Sequence, residues 1–396
     1  MKCKITNKQI SPFMSFGKMP IANGFLKKEK FNQEFFYEME VGFSEDLSLF
    51  QLNDHPKPET MFNENYPFFS GSSNYMISHF KSYADSLKKN YSKNNLKIIE
   101  IGSNDGTMLR NFNNKEYDAI GFEPSKNVSD KAKLEGLNSL NRFFNQKNIE
   151  DLKSNIANTD IIYASNVICH VPDLNDLIKT IDRLLSKDGI FVFEEPYLGS
   201  MFEKTSYDQI YDEHIYMFSL TSVKKIFNLY DFELVDAEPQ ITHGGSMRYF
   251  IKRKKQSQPS KKLANLLDSE KKIELDTLKM CLDFKKNCEI SKKNIITKIM
   301  NYKNLDYTIG GYAATSKSTT VLNYCNIDFN LIDFICDTTV EKIGKFSPGT
   351  HIPIVDMNHF HKINPNVAYL FAWNHKEEIF KKESDYKGQW FSHVEI

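Results

Sequence analysis

The chain has 396 residues, of which 40% are hydrophobic and 26% charged, and its 51 basic residues are matched by 51 acidic ones. A chain this long holds two or three domains with sizeable cores, and a neutral balance without a basic stripe argues against nucleic acid as the main partner. No apolar run reaches the ~20 residues of a membrane span. The six cysteines contain no C-x-x-C pair, so with no signal sequence the chain reads as a cytoplasmic protein with reduced thiols.

Proline and glycine recur early in the chain, between strand-like pieces at 36–43 and 47–52. This predicts a small loop-rich module over 1–80. Modules of that size often depend on a metal staple. Cys3 stands alone, however, and His55 and His79 have no partners at zinc spacing, so no metal is expected. Tyr66-Pro-Phe68-Phe-Ser-Gly follows, polar and aromatic, and reads as the packing core of a lid leading into a helix at 74–89.

From 81 to 253, strand and helix patterns alternate as a doubly wound, Rossmann-like α/β sheet requires. Strands are expected at 97–101, 117–122, 160–165, 189–193, near 232–237 and at 247–252. The first empties into Gly102-Ser-Asn104-Asp105-Gly106 and a helix-like 107–112, a turn in which backbone amides can approach a ligand closely. A dinucleotide site would need G-x-G-x-x-G so that a pyrophosphate could sit on the turn. Here two glycines stand at another spacing, with an acid that would repel pyrophosphate, and Glu100-Ile-Gly102-x-x-x-Gly106 matches the pattern of S-adenosylmethionine-dependent methyltransferases. Glu123 closes the second strand, near the spacing of about 20 residues expected of an acid that accepts ribose hydroxyls.

Polar clusters follow the next two strands, Asn166-Val-Ile-Cys-His170 and Glu194-Glu195-Pro-Tyr197. Open α/β sheets bind ligands at the carboxyl ends of their strands, so both fall on the cofactor's side. Two further clusters crowd aromatic, acidic and imidazole groups together: Tyr211-Asp-Glu213-His214-Ile-Tyr216 and Thr242-His243-Gly-Gly-Ser246-Met-Arg248. The lysine- and glutamate-rich stretch 254–302 predicts a long surface helix or a helical pair. A second strand–turn–helix begins at 306, with strands at 331–336 and 368–371, so 254–396 reads as a helical linker plus a second α/β domain. Its turn could cradle a diphosphate, with Lys317 as counter-charge.

Taken in order, EIGSNDG, SNVICHV, EEPY, IYDEH and THGGSMR resemble the sugar-nucleotide C-methyltransferases that methylate C-3 of dTDP-linked 4-keto deoxysugars. In the last third, GGYAATSK, LNYC, KFSPGTHIPI and Ala372-Trp-Asn374 look like that family's second α/β domain. The resemblance implies S-adenosylmethionine as cofactor and a nucleotide-linked keto sugar as small-molecule substrate, with monomer or homodimer left open. It also implies an N-terminal module that holds zinc through two C-x-x-C pairs. The aligned positions here are Cys3, Thr6, Ser44 and Leu47, so the module is degenerate and keeps one ligand of that set. Phe68 stands where the family has a tyrosine, and Ala313-Ala-Thr-Ser-Lys317-Ser where it has G-A-P-A-K-G.

A carbon acceptor needs a base that removes a proton alpha to a carbonyl, and a donor that steadies the enolate oxygen. His214 is the base candidate, with Glu213, Tyr211 and His243 beside it; as neighbours, Glu213 and His214 would point apart on a helix. Cofactor contacts are expected from Glu100, Gly102, Asn104, Asp105, Gly106, Glu123, Asn166 and His170. Substrate contacts are expected from Tyr66, Phe68, Glu195, Tyr197, Tyr216, Ser246, Arg248, Lys317 and Asn323. O- or N-methylation of a sugar nucleotide is the alternative chemistry, and a non-catalytic scaffold the alternative role.

Overall fold

The computed structural model describes residues 1–64, 66–91 and 95–395. Its N-terminal part is more regular than its proline and glycine content predicts. Pro12–Pro20, Phe36–Ser44 and Leu49–Leu52 pair antiparallel, and Tyr216–Met217 adds a fourth strand to their sheet from far along the chain. Gly17, at φ +76°, takes up a register shift between Ser15 and Lys18, the kind of kink that a strand makes around an extra residue.

The central sheet has seven strands, in the order Phe232–Gln240, Ser246–Arg253, Leu185–Pro196, Thr159–Ser165, Leu96–Ile101, Tyr117–Phe122 and Ser139–Leu140. Its last five run parallel, and Ser246–Arg253 pairs antiparallel with both of its neighbours. All six expected strands are present. The expected helix at 107–112 is not: only one 3-10 turn, Leu109–Phe112, forms there. Asn111 bonds its side-chain amide back to the carbonyls of Thr107 and Met108, and asparagines used in this way compete with helix propagation.

Helices Lys261–Lys272 and Leu278–Asn304 form the expected pair. Beyond them lies an all-parallel sheet in the order Ile354–Val355, Phe334–Cys336, Ile309–Tyr312, Val367–Leu370 and Gln389–Phe391. The N-terminal sheet is wedged between the other two. Met39, Val41 and Phe43 share one core with Phe284 of the long helix and Ile335 and Tyr369 of the last sheet, while Cys3, Leu47 and Leu49 belong to the core of the central sheet. Each large apolar side chain buried in this way stabilises the arrangement by about 1.5–3 kcal/mol. Among the described residues, no helix is long and apolar enough to cross a membrane.

In both sheets the five parallel strands lie side by side in the order third, second, first, fourth and fifth. In such sheets the crevice lies beyond the carboxyl ends of the strands, where the strand order reverses. Here both crevices open into one cavity of about 880 Å³.

Candidate active site

The first crevice is built on the turn after Leu96–Ile101. Gly102 adopts φ +69°, and a Cβ placed on it would lie 2.3 Å from Val167, so only glycine fits. Its amide donates to the Phe122 carbonyl at 2.8 Å, tying the turn to the second strand. Glu123, the next residue, is buried and accepts the amides of Asn104 at 2.9 Å and Ser125 at 2.7 Å. Burial raises its carboxyl above the ordinary range against those bonds. Asn104 and Asp105 turn their side chains to the aromatic lid. Asn104 accepts the Ser70 amide and donates to the Phe68 carbonyl, and Asp105 accepts the Gly71 amide.

Glu195 organises the loop after the fourth strand. Its Oε1 accepts the amides of Val167, Ile168 and Cys169 at 2.9, 2.6 and 3.4 Å, and burial pushes its carboxyl up to about 7. The loop presents Asn166, at φ +56°, and His170 to the cavity. His170 stacks between Phe62 and His214, with centroids 5.7 and 5.2 Å away, and burial pushes its imidazole down to about 3. Among the described residues, the buried Asn166 Oδ1 and His170 Nε2 have no hydrogen-bond partner.

His214 is oriented at both ring nitrogens. Nδ1 lies 2.6 Å from the Gln209 carbonyl, which can only accept, so Nδ1 carries the proton and Nε2 accepts the Tyr211 hydroxyl at 2.8 Å. Burial, and then the neighbouring His170, hold the imidazole well below its ordinary pKa. Burial likewise raises Tyr211, which stays a donor. The backbone here is a turn and not a helix, so Glu213 and His214 do not point apart: both line the cavity. Glu213 accepts the Tyr66 hydroxyl at 3.3 Å and Asn23 Nδ2 at 2.7 Å. Asn23 arrives from the N-terminal module and carries no motif that could have marked it. His243, at φ +54°, also lines the cavity and accepts Gln209 Nε2 through its carbonyl at 2.6 Å. Burial pushes its imidazole down to about 3.

Several expected contacts are spent elsewhere. Glu100 accepts the Tyr163 hydroxyl at 2.9 Å beneath the turn, Asp105 holds the lid and Thr107, and Gly106 packs close to Leu137. Glu195 is a loop clamp, not a substrate contact. The Tyr197 hydroxyl donates to Glu270 at 2.8 Å, and that of Tyr216 to the Pro172 carbonyl at 2.8 Å. Ser246 donates to the Thr242 carbonyl, and Asn323 to the carbonyls of Thr319 and Pro348. Arg248 pairs with Glu194 at 2.8 Å and lies 3.5 Å from the centroid of the Tyr83 ring. A buried charge must be paired before it can serve anything else, and these motifs supply the pairing. Tyr66, Phe68 and Lys317 do line the cavity, and so do Asp337 and Lys342, which sequence reasoning missed. Asp337 was findable, as an acid directly after a second strand.

Two groups of residues contain metal-ligating types. Cys169, His170 and His214 bring ligand atoms within 4.8 Å of one another. His214 Nε2 is engaged by Tyr211, however, and burial with the nearby Glu195 drives the Cys169 thiol up, away from the thiolate that a metal needs. In the N-terminal module Cys3 is wholly buried in the apolar core with Ile5 and Leu47. One thiol, two hydroxyls and an aliphatic chain do not make a tetrahedral zinc set. The first crevice, by contrast, fits S-adenosylmethionine: Glu123 offers a carboxylate to hydroxyls, Gly102 allows close backbone approach, and the unpaired polar atoms of Asn166 and His170 lie beside it.

Three family models match successive parts of the chain: a zinc binding domain over 3–62, a methyltransferase domain over 75–237 and a C-methyltransferase C-terminal domain over 241–394. The protein is an S-adenosylmethionine-dependent methyltransferase. Together the three matches run in order from residue 3 to residue 394, with a C-methyltransferase domain as the last. It is similar to the C-methyltransferase NovU of Streptomyces niveus, 25% identical over 378 residues that cover 94% of this chain and 89% of that one. Among solved structures it is similar to the PH0226 protein of Pyrococcus horikoshii OT3, at 15% identity over 47% of this chain and 95% of that one, TM-score 0.37. It is also similar to magnesium protoporphyrin IX methyltransferase of Synechocystis PCC 6803, at 12% identity over 45% of this chain and 79% of that one, TM-score 0.34.

Proposed function

We propose that the enzyme methylates a carbon alpha to the carbonyl of a nucleotide-linked keto sugar. The observation that carries this reading is the neutral His214, its Nε2 lone pair held toward a phenol inside the cavity that both crevices share. S-adenosylmethionine, when bound, supplies an electrophilic methyl group. Glu123 and Gly102 would hold it in the first crevice. On substrate entry the Tyr211 hydroxyl leaves His214 and donates to the carbonyl oxygen. His214 Nε2 then accepts the proton of the alpha carbon, the electron pair of the broken C–H bond passes into the enolate, and Tyr211 steadies the oxygen. The carbon so activated would take the methyl group as the methyl–sulfur bond breaks, the electron pair of that bond staying on sulfur to leave neutral S-adenosylhomocysteine, while the enolate returns to a carbonyl and His214 gives its proton to solvent. The similarity to NovU, named a C-methyltransferase, supports carbon as the acceptor.

The test is solvent deuterium exchange into candidate keto-sugar nucleotides without methyl donor, followed by NMR of the product of a complete reaction. Carbon exchange and a carbon-bound methyl are expected. A methyl on oxygen or nitrogen, with no exchange, would replace this reading with the O- or N-methyltransferase one.

A further inference from the structure

Asp208 is a buried charge one residue before the carbonyl that orients the base. It lies in the single 3-10 turn Tyr207–Gln209 and is wholly buried. Two residues of the last α/β domain grip its carboxylate: Trp373 donates Nε1 to Oδ2 at 2.7 Å, and His393 Nε2 lies 3.0 Å from Oδ1. Both partners are themselves buried. On the far side of its ring, His393 Nδ1 lies 3.2 Å from the Tyr369 hydroxyl, so the imidazole is held at both nitrogens. Burial alone would raise the Asp208 carboxyl, but His393, Lys317 and Trp373 hold it below the ordinary carboxylate range. A carboxylate removed from water is costly without partners, so these contacts pin the turn that carries it.

What the turn delivers is the next residue. The Gln209 carbonyl, 2.6 Å from His214 Nδ1, fixes which ring nitrogen carries the proton and leaves the Nε2 lone pair to Tyr211 and then to substrate. The Gln209 side chain donates to the His243 carbonyl at 2.6 Å. Gly244, which follows, lies against the Trp373 indole so closely that a Cβ there would be 2.1 Å from it. The Ile210 carbonyl accepts Thr320 Oγ1, again from the last domain, at 2.7 Å. Trp373, His393 and Thr320 thus converge on residues 208–210, whereas among the described residues His214 makes no hydrogen bond to that domain. Neither Asp208 nor Trp373 nor His393 lines the cavity, so they touch no reacting atom.

We propose that Asp208 is a positioning residue for proton abstraction: clasped by Trp373 and His393, it holds the Gln209 carbonyl where that carbonyl sets the tautomer and aim of His214. The last domain thereby orients the base from outside the cavity. The assignment rests on His214 as the base and deepens that reading.

Nitrogen-15 NMR of the histidine side chains in the full chain, with His214 assigned from its Ala variant, reads the tautomer without turnover. In the wild type the proton should lie on Nδ1. Asp208→Asn, which keeps the shape and removes the charge, and Trp373→Phe, which removes the indole donor, should each shift His214 toward the Nε2-protonated form. Both should lower kcat and the rate of solvent deuterium exchange at the alpha carbon by about 10–100-fold, the scale of a lost partner behind a working group. KM and S-adenosylhomocysteine affinity should be little changed. Should Asp208→Asn not fold, Trp373→Phe carries the test. A wild-type proton on Nε2, or a tautomer unmoved in the folded variants, would overturn the assignment. So would a loss of KM, cofactor affinity and melting temperature together with an unmoved tautomer, which marks a contact that only supports the fold. Exchange that survives in His214→Ala would remove the base reading by itself, whereas the tautomer of His214 answers for Asp208 separately.

Discussion

The turns at Gly102 and Ala313 leave their strands in the same left-handed conformation and end against a carboxylate held by two amides, yet they are charged in opposite senses. Around the first stand Glu100, Asp105 and Glu123, all buried, with Lys131 reaching Asp105 from the rim at 3.1 Å. Around the second stand Lys317 and Lys342. One backbone plan thus stands among acids on one side of the cavity and beside two lysines on the other. The difference teaches that the fold supplies amides and a crevice, while a few side chains choose the guest.

The comparison breaks most sharply at the residue between the crevices. His214→Ala should reduce turnover by about 10²–10⁴-fold, the usual share of general base catalysis, with affinity for S-adenosylhomocysteine and for nucleoside diphosphate little changed. It should also abolish solvent exchange at the alpha carbon, while Tyr211→Phe, which keeps the base, should slow it less. If exchange survives in the His214 variant and disappears in a His243 or Glu213 variant, the reaction stands and the base is reassigned.

Glu123→Ala removes the acid of the first crevice alone. S-adenosylmethionine binding should weaken by about 1–3 kcal/mol, the cost of a lost charged acceptor, and diphosphate binding should not move. Unchanged cofactor affinity by calorimetry would mean that Glu123 serves the turn and not the ligand.

A third contrast is in pH. Glu195, which clamps the loop beside the first crevice, is raised to about 7 by burial. The sign follows from linkage: the native state holds this proton where the unfolded chain has released it. Its stability contribution is therefore present below the unfolded pKa of about 4.3 and is lost as pH rises through about 7. Glu195→Gln keeps an acceptor for the three amides and removes the titration. The unfolding free energy of the variant should fall less between pH 5 and 8 than that of wild type, by about 2–3 kcal/mol. Parallel curves would place the Glu195 carboxyl in the ordinary range.

How much of this was legible follows the same contrast. The central strands were readable because their apolar runs are long and end in turn residues, and Glu123 was readable from its distance to Gly102. Asp337 follows the expected strand at 331–336 directly, but the turn that pairs with it carries Ala313 where the first carries Gly102, so no glycine spacing called for an acid there and it passed unread. Glu195, Tyr197 and Arg248 were misjudged for another reason. Nearness to a strand end marks polar residues for a site, whereas burial first demands partners, and partners such as Glu270 for Tyr197 and Tyr83 for Arg248 come from elements that no local pattern connects. Asn23 lies 190 residues from Glu213, beyond any local rule.

The smallest predicted effect belongs to the N-terminal module: chelation should do nothing. Where thiolates would hold a metal, Cys3 sits in the apolar core with Leu47 and Leu49. Gln51 ties the first loop to the sheet, accepting the Lys4 amide at 3.0 Å and donating to the Lys2 carbonyl at 3.0 Å. Fixed bonds of this kind contribute about 1 kcal/mol each, and with buried apolar side chains they replace the folding energy that a bound metal would otherwise provide. Elemental analysis of the purified protein should therefore find no stoichiometric zinc, and its melting temperature should be the same with and without EDTA, whereas Gln51→Ala should lower it. One zinc per chain, lost together with folding on chelation, would show that the module recruits ligands from outside its aligned positions.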